Sequence, residues 1–236
     1  MFSESAEVYD AIYGAFKDYG SECVRLAALL RETRPPVRSV LDVACGTGEH
    51  ARLLRAEHGF DVDGLDLDPG LLAVARRKVP DAGFFEADMA SFILARRYDA
   101  VVCLFSSIGY VRTLDRVTSA LACFRRHLNP AGVIVVEPWF EPGVLRIGTG
   151  ETKYAEGNGV RVARSSHVEV SGRLSTLLFE YEISGPDGVR SVRETHELGL
   201  FTTSEMFSCF FDAGLQVSHD PVGLTGRGLY VARRPE

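Results

Sequence analysis

The chain has no long apolar run, no paired cysteine spacing and no surplus of positive charge, and each absence removes a class of protein. No stretch reaches the ~20 apolar residues that a membrane-spanning helix requires. The acidic N-terminus has neither the basic n-region nor the apolar h-region of a secretory signal, so a cytoplasmic location is expected. The cysteines number 5, an odd count, and show no C-x-x-C or Cys/His spacing, so neither a disulfide framework nor a zinc site is indicated and no metal is expected. Cys45, Cys103 and Cys123 fall in apolar runs and read as reduced core residues. Lys and Arg total 26 against 32 Asp and Glu, a net charge of -6 without a clustered basic face. That balance argues against a nucleic-acid partner, whose affinity rests on Lys and Arg contacts to phosphate. There is no internal repeat and no low-complexity tract.

What is present fits one catalytic unit: 236 residues, 46% hydrophobic and 25% charged, are enough for a sizeable core. Strand and helix patterns alternate from about residue 20 to 140. Helices are expected near 20–33, 47–58, 70–78 and 114–127, and strands at 38–43, 61–65, 83–85, 98–104 and 132–137. Tyr98 to Leu104 and Gly132 to Glu137 are continuous rather than alternating apolar runs, as in strands buried on both faces of a parallel sheet. The expected architecture is an α/β, doubly wound sheet. After Pro138, Gly143, Gly148, Gly150, Gly157 and Gly159 loosen the chain, and period-two segments follow at 160–170, 174–183 and 189–201. The last two are joined through Gly185-Pro186-Asp187-Gly188. These read as an antiparallel flap or as a decorative extension. Thr202-x-x-Glu205 is a capping box for a short helix stopping at Gly214. Strands at 215–217 and 229–232 close the chain.

The most informative stretch is Val40-Leu41-Asp42-Val43-Ala44-Cys45-Gly46-Thr47-Gly48, an apolar strand that ends in a carboxylate and turns on two glycines. Gly46-x-Gly48-x-x-Ala51 satisfies a nucleotide-binding pattern shared by NAD, FAD and S-adenosylmethionine sites. Asp42 separates them. A buried carboxylate repels a pyrophosphate and attracts an ammonium or sulfonium; at ~4 Å the two cases differ by several kcal/mol at an effective dielectric near 20. Val62-Asp63-Gly64-Leu65-Asp66 follows as a second strand whose terminal acid, Asp66, is placed for both ribose hydroxyls. Asp68-Pro69 starts the next helix, with Asp as N-cap. A third acid, Asp88, either accepts from the adenine amino group while Met89 packs on the ring, or is a solvated helix cap.

Together, Leu41 to Gly48, Gly64-Leu65-Asp66 and Ala87-Asp88-Met89 make the chain resemble class I S-adenosylmethionine-dependent methyltransferases. Phe105-Ser106-Ser107-Ile108-Gly109-Tyr110, Val136-Glu137-Pro138-Trp139, Ala163-Arg164-Ser165-Ser166-His167 and Gly226-Arg227-Gly228-Leu229 narrow the resemblance. They are similar to the N,N-dimethyltransferases that finish nucleotide (TDP)-linked deoxyamino sugars in macrolide and anthracycline biosynthesis. The resemblance implies a seven-stranded Rossmann-like sheet with the antiparallel flap inserted after the fifth strand. It divides 1–236 into N-terminal lid helices (1–35), a cofactor-binding core (36–140 and 197–236) and a substrate-covering insertion (141–196). It also implies S-adenosylmethionine as cofactor, a nucleotide-sugar substrate and two methyl transfers; a homodimer is allowed but not demanded.

Tyr9, Tyr13, Phe16 and Tyr19 are spaced three or four apart, which puts them along one helical face. They are core residues or, as the resemblance implies, a lid whose Tyr13 and Tyr19 reach the cofactor and sugar. His50, on the first turn after Gly48, is expected at the methionine end or on the surface. The expected cofactor set is completed by Ala44, Gly46, Gly48, Leu67 and Phe105. Tyr110 and Glu137, at or beyond strand ends, are best placed to accept a hydrogen bond from the amine, with a structural anchor as the rival role for Glu137. Arg227, then Arg164 and His167, are candidates for the pyrophosphate, because a guanidinium fork matches phosphate oxygens. Ser106 and His196 complete the expected sugar or base contacts. Methyl transfer needs a positioned, unprotonated nucleophile and exclusion of water more than a strong base, and orientation can supply ~7 to 11 kcal/mol of such a barrier. A methyltransferase for another amine or hydroxyl, a silent S-adenosylmethionine-binding protein and a nicotinamide-dependent oxidoreductase remain as alternatives, the last disfavoured by Asp42.

Overall fold

In the computed structural model, residues 9–15, 17–157, 159–186 and 188–235 are described. The continuous apolar runs form β1 (Ser39–Val43), β2 (Asp61–Asp66), β3 (Phe84–Glu86), β4 (Tyr98–Cys103) and β5 (Leu128–Val136). They are parallel neighbours in the order β3-β2-β1-β4-β5. Helices α1 (Tyr9–Gly14), α2 (Tyr19–Arg31), α3 (Glu49–Ala56), α4 (Pro69–Lys78) and α5 (Leu114–Arg126) precede or connect these strands. One apolar layer packs Leu26, Leu54 and Leu72 on one face of the sheet, and a second packs Phe124, Phe210 and Tyr230 on the other. Each such side chain contributes roughly 1.5–3 kcal/mol by leaving water.

After β5 the chain leaves the sheet and forms a second, antiparallel one: β6 (Gly148–Thr149), β7 (Lys153–Gly157), β8 (Val160–Ser171), β9 (Leu174–Gly185) and β10 (Gly188–Gly199). Three of these strands match the expectation. β6 and β7 lie in the glycine-rich stretch that the pattern left unassigned, where the residues are too few and too polar to show a period. The chain then returns through α6 (Thr203–Asp212), β11 (Gln216–Asp220) and β12 (Leu229–Arg233). β12 joins the edge of the first sheet antiparallel to β5, and β11 lies outside it. The Thr202–Glu205 capping box forms as expected, and Asp68 caps α4 by accepting from Gly70 and Leu71 N–H groups.

The N-terminal tyrosines depart from expectation. Helix α1 ends at Gly14, and Asp18 caps a new helix by accepting from the Ser21 N–H at 2.9 Å. Tyr19 therefore opens α2 and does not share a face with Tyr9 and Tyr13. Phe16 and the turn residue Asp187 lie outside the described residues. Tyr9, Ile12 and Tyr13 pack with Val162, Phe179, Tyr181 and Ile183, so α1 and the antiparallel sheet share a third apolar cluster above the carboxyl ends of β1, β2 and β4.

Candidate active site

Asp42 sits opposite Gly64 on the β1–β2 ladder, is only 1% exposed, and its Oδ2 has no hydrogen-bond partner among the described residues. Burial pushes its carboxyl up to about 6, with His50 and Lys17 opposing and Asp66 adding to the shift. A buried, unpaired carboxylate is costly, and a ligand cation placed against it removes the cost. Asp66 Oδ2 accepts the Gly46 N–H at 2.8 Å and its Oδ1 accepts the Asp68 N–H at 3.0 Å, so the acid is held rigidly while facing the cavity. Beside Asp42, His50 is buried, with Nε2 3.0 Å from Glu22 Oε2. Lys17 also donates to Glu22 and lies 4.3 Å from the Phe105 ring centroid. Tyr19 meets the His50 ring edge-on at 4.9 Å. Lys17 and Glu22 were not expected from the sequence, where they look like an ordinary solvated pair.

The loop after β4 is strained. Phe105 (φ 52°) and Ser106 (φ 62°) are successive non-glycine residues in the left-handed region, which costs of order 1–3 kcal/mol each unless the surroundings enforce it. Glu137 enforces it. Its Oε2 accepts the Phe105 N–H at 2.6 Å, and its Oε1 accepts from the Thr225 hydroxyl. Glu137 is fully buried and lines neither of the two cavities; both of its oxygens are engaged as an anchor of this loop. Ser106 is likewise buried; its hydroxyl donates to the Pro138 carbonyl at 2.6 Å and accepts from Arg227 at 2.8 Å. Ser106 thereby holds Arg227, whose guanidinium also lies 5.4 Å from the Phe105 ring and 5.7 Å from Trp139. Ser107, one residue on, lines both cavities.

Strand register builds the opposite wall. Arg164 faces Tyr181, Phe179 faces Glu194 and Leu177 faces His196 across β8, β9 and β10, and side chains two apart share a face. Arg164 lies over the rings of Phe179 and Tyr13, at 4.8 and 5.4 Å. Burial raises the Tyr13 phenol to about 12, with Arg164 opposing. His167, an odd number of residues from Arg164, points to the other face, where it meets Thr149 at 3.0 Å; it does not line either cavity. Gly109 lets the 3-10 helix Ser107–Val111 approach β10, because a Cβ there would lie 3.0 Å from Leu198. The approach brings the Tyr110 hydroxyl 3.1 Å from His196 Nδ1.

Two cavities meet at Tyr9, Ala44, Gly46, Phe105 and Ser107. The smaller, about 40 Å³, holds Asp42, His50 and Tyr19. The larger, about 610 Å³, collects Tyr13, Asp66, Leu67, Asp88, Met89, Tyr110, Arg164, His196 and Arg227. Asp88 is also paired with Arg116 at 2.6 Å. Gly48 lines neither: it caps α3 in the left-handed region, and its missing Cβ makes room for Ala75 and Phe84, 3.1 and 3.2 Å from where that atom would be. Phe179 and Arg112 are lining residues that no local motif announced, and Tyr9 and Trp139, read in the tyrosine series and a resemblance motif without a site role, line the larger cavity as well.

The sheet order, the acids at the ends of β1 and β2, and an orphaned carboxylate that suits a cationic ligand define an S-adenosylmethionine-dependent methyltransferase. A family profile described as "Methyltransferase domain" matches residues 40–132. A dTDP-3-amino-3,6-dideoxy-alpha-D-glucopyranose N,N-dimethyltransferase of Streptomyces fradiae is 43% identical over 96% of this chain and 89% of its own length. The crystal structure of Streptomyces venezuelae DesVI superposes with a TM-score of 0.91 at 38% identity, covering 98% of each chain. The S-adenosylmethionine-bound CalS10, an amino pentose methyltransferase of Micromonospora echinaspora involved in calicheamicin biosynthesis, superposes at 0.84 with 35% identity over 97% of each. The chain belongs to the family of nucleotide-sugar N,N-dimethyltransferases.

Proposed function

We infer that the protein transfers methyl groups from S-adenosylmethionine to the amine of a dTDP-linked 3-amino deoxyhexose, twice per sugar, in antibiotic biosynthesis. The observation that carries the reading is a pair of adjoining cavities that share Tyr9, Ala44, Gly46, Phe105 and Ser107, with an orphaned carboxylate, Asp42, in one and two guanidinium groups, Arg164 and Arg227, lining the other. The 3-amino position follows the 43%-identical relative.

When bound, S-adenosylmethionine supplies an electrophilic methyl group on a sulfonium. Asp42 offers the ammonium and sulfonium end a counter-charge, Asp66 offers the ribose acceptors, and Asp88 and Met89 flank the adenine. Tyr13 and Tyr9 of α1, a lid in this reading, close over the reacting centre and exclude water. Arg227, held by Ser106 and by three aromatic rings, grips the pyrophosphate, with Arg164 as a second cation. Tyr110, lining the same cavity, would hold and orient the substrate amine. A cytoplasmic location is part of the proposal, supported by 5 buried cysteines that are all free thiols.

The test is turnover on a panel of dTDP-linked 3-amino, 4-amino and 3-hydroxy deoxysugars, read as S-adenosylhomocysteine released. Release with the 3-amino sugar alone supports the proposal. Release with the hydroxy sugar and none with either amine overturns it.

A further inference from the structure

Behind Tyr110 lies a buried line of polar groups that positioning alone does not need. Tyr110 Oη is 3.1 Å from His196 Nδ1, and His196 Nε2 is 3.5 Å from Glu194 Oε2. His196 and Glu194 are 2% and 5% exposed. Both sit on the inward face of β10, two residues apart, so the strand itself fixes their order. With the Nε2 proton turned to the Glu194 carboxylate, Nδ1 carries a lone pair and accepts a hydrogen bond from the Tyr110 hydroxyl. Tyr110 lines the larger cavity, and its oxygen, donating its proton to His196, keeps its own lone pairs for an incoming N–H.

We propose that Tyr110, His196 and Glu194 form a proton relay that takes the proton from the substrate ammonium before each methyl transfer. This rests on the amino-sugar reading above. An ammonium cannot attack a sulfonium, and alkyl ammonium groups stay protonated at neutral pH, with reference values from ~8 to ~10. The first transfer also yields a protonated secondary amine, which must lose a proton before the second. In the relay, the ammonium N–H bond breaks toward the Tyr110 oxygen as the Tyr110 O–H bond breaks toward His196 Nδ1. The nitrogen keeps its electron pair, tyrosine ends neutral, and the proton rests on an imidazolium facing Glu194. Tyr110 touches the substrate; His196 acts through it, and Glu194 is a positioning residue that holds the tautomer. Phe179 from β9 packs on the His196 ring, and the groups around Glu194 are Tyr13 from α1 and Tyr181 from β9, with Arg164 from β8 beside both phenols. Glu197 and Arg112 line the same cavity, paired with each other at 2.8 Å. Arg164 lies against Tyr13, whose phenol it opposes being raised. The Glu194 carboxylate beside Tyr181 helps hold that phenol protonated after burial has raised it.

The experiment is the pH profile of kcat, with product mass, for the wild type and for His196→Asn, Tyr110→Phe and Glu194→Gln. Cofactor binding by calorimetry confirms that each variant is folded. General-base assistance is worth roughly 10²–10⁴-fold, so His196→Asn is expected to lose about 100-fold in kcat at pH 7 and to regain most of it by about pH 9.5. Monomethyl product should accumulate at low pH, and KM for the nucleotide sugar should change little. Tyr110→Phe should share this profile, and Glu194→Gln should fall between it and the wild type. A wild type that turns over, with His196→Asn and Tyr110→Phe depressed equally at every pH or altered only in KM, overturns the relay alone. A wild type inert toward every amino sugar overturns the substrate reading, and the relay with it.

Discussion

Replacing Asp42 with Asn should make the cofactor-free protein more stable and a poorer binder, an opposition that follows from one buried charge. The carboxyl titrates at about 6 in the folded chain because burial disfavours its anion, against ~3.9 when unfolded. A folded-state value above the unfolded one means that the native state holds the proton longer. The stability this lends is present in full below about pH 4 and is lost as pH rises through about 6, the value at which Asp42 titrates. Two units correspond to about 3 kcal/mol of order-of-magnitude penalty at pH 7. The neutral amide introduced by Asp42→Asn carries no such penalty. For a domain of this size, ~2–4 °C per kcal/mol gives a rise of roughly 5–10 °C in the Tm of the cofactor-free protein. S-adenosylmethionine reverses the sign, because its ammonium and sulfonium need the anion. Wild-type affinity should therefore weaken up to about tenfold per pH unit below pH 6. Asp42→Asn should bind about 10- to 100-fold more weakly at pH 7, the worth of a charged hydrogen bond, with no slope between pH 5 and 7. Scanning calorimetry and titration calorimetry read the two effects. A variant less stable than wild type at pH 7 without ligand, or wild-type affinity that is flat down to pH 5, would refute the reasoning.

Glu137→Gln should lower the denaturant midpoint by the equivalent of about 1–3 kcal/mol, since a charged acceptor that holds Phe105 and Ser106 in the left-handed region is lost. An unchanged midpoint in urea unfolding would contradict the anchor role. Arg227→Ala should raise KM for the nucleotide sugar by about 10- to 100-fold while leaving S-adenosylmethionine binding alone; equal loss of both, measured by calorimetry, sinks the pyrophosphate assignment. Lys78 ties α1 to the core through Asp10 at 2.7 Å and Glu49 at 2.9 Å. Lys78→Ala should speed cofactor release about fivefold, the worth of a partly exposed ion pair near 1 kcal/mol, and stopped-flow displacement would show whether α1 acts as a lid.

The parallel core was legible because strands buried on both faces leave continuous apolar runs that need no context. Asp42 and Asp66 could be read for the same reason: a carboxylate closing an apolar strand is conspicuous in one dimension. Glu137 was ambiguous, since a buried acid at a strand end serves equally as contact or anchor, and its bonds to Phe105 and Thr225 are visible only in the fold. The placement of His167 away from both cavities was not legible, because the sequence shows that a strand alternates but not which parity faces inward. Arg164 and Tyr181 settle that through register. Gly48 was assigned to the ligand by its motif, although the space it frees is filled by Ala75 and Phe84. The break at Gly14 was missed because the tyrosine spacing of a helix carried on through a segment where Asp18 restarts one. Lys17, Glu22 and Glu194 were invisible as candidates: each is charged, and only the fold reveals that its side chain is buried.

The central claim is double methylation of a sugar amine, and the most direct measurement is the mass of a dTDP-linked 3-amino deoxysugar after exhaustive reaction, with S-adenosylhomocysteine counted in the same sample. The account predicts a gain of two methyl groups on one nitrogen and two molecules of S-adenosylhomocysteine per sugar. A sugar of unchanged mass, beside a protein that binds S-adenosylmethionine tightly, would contradict it.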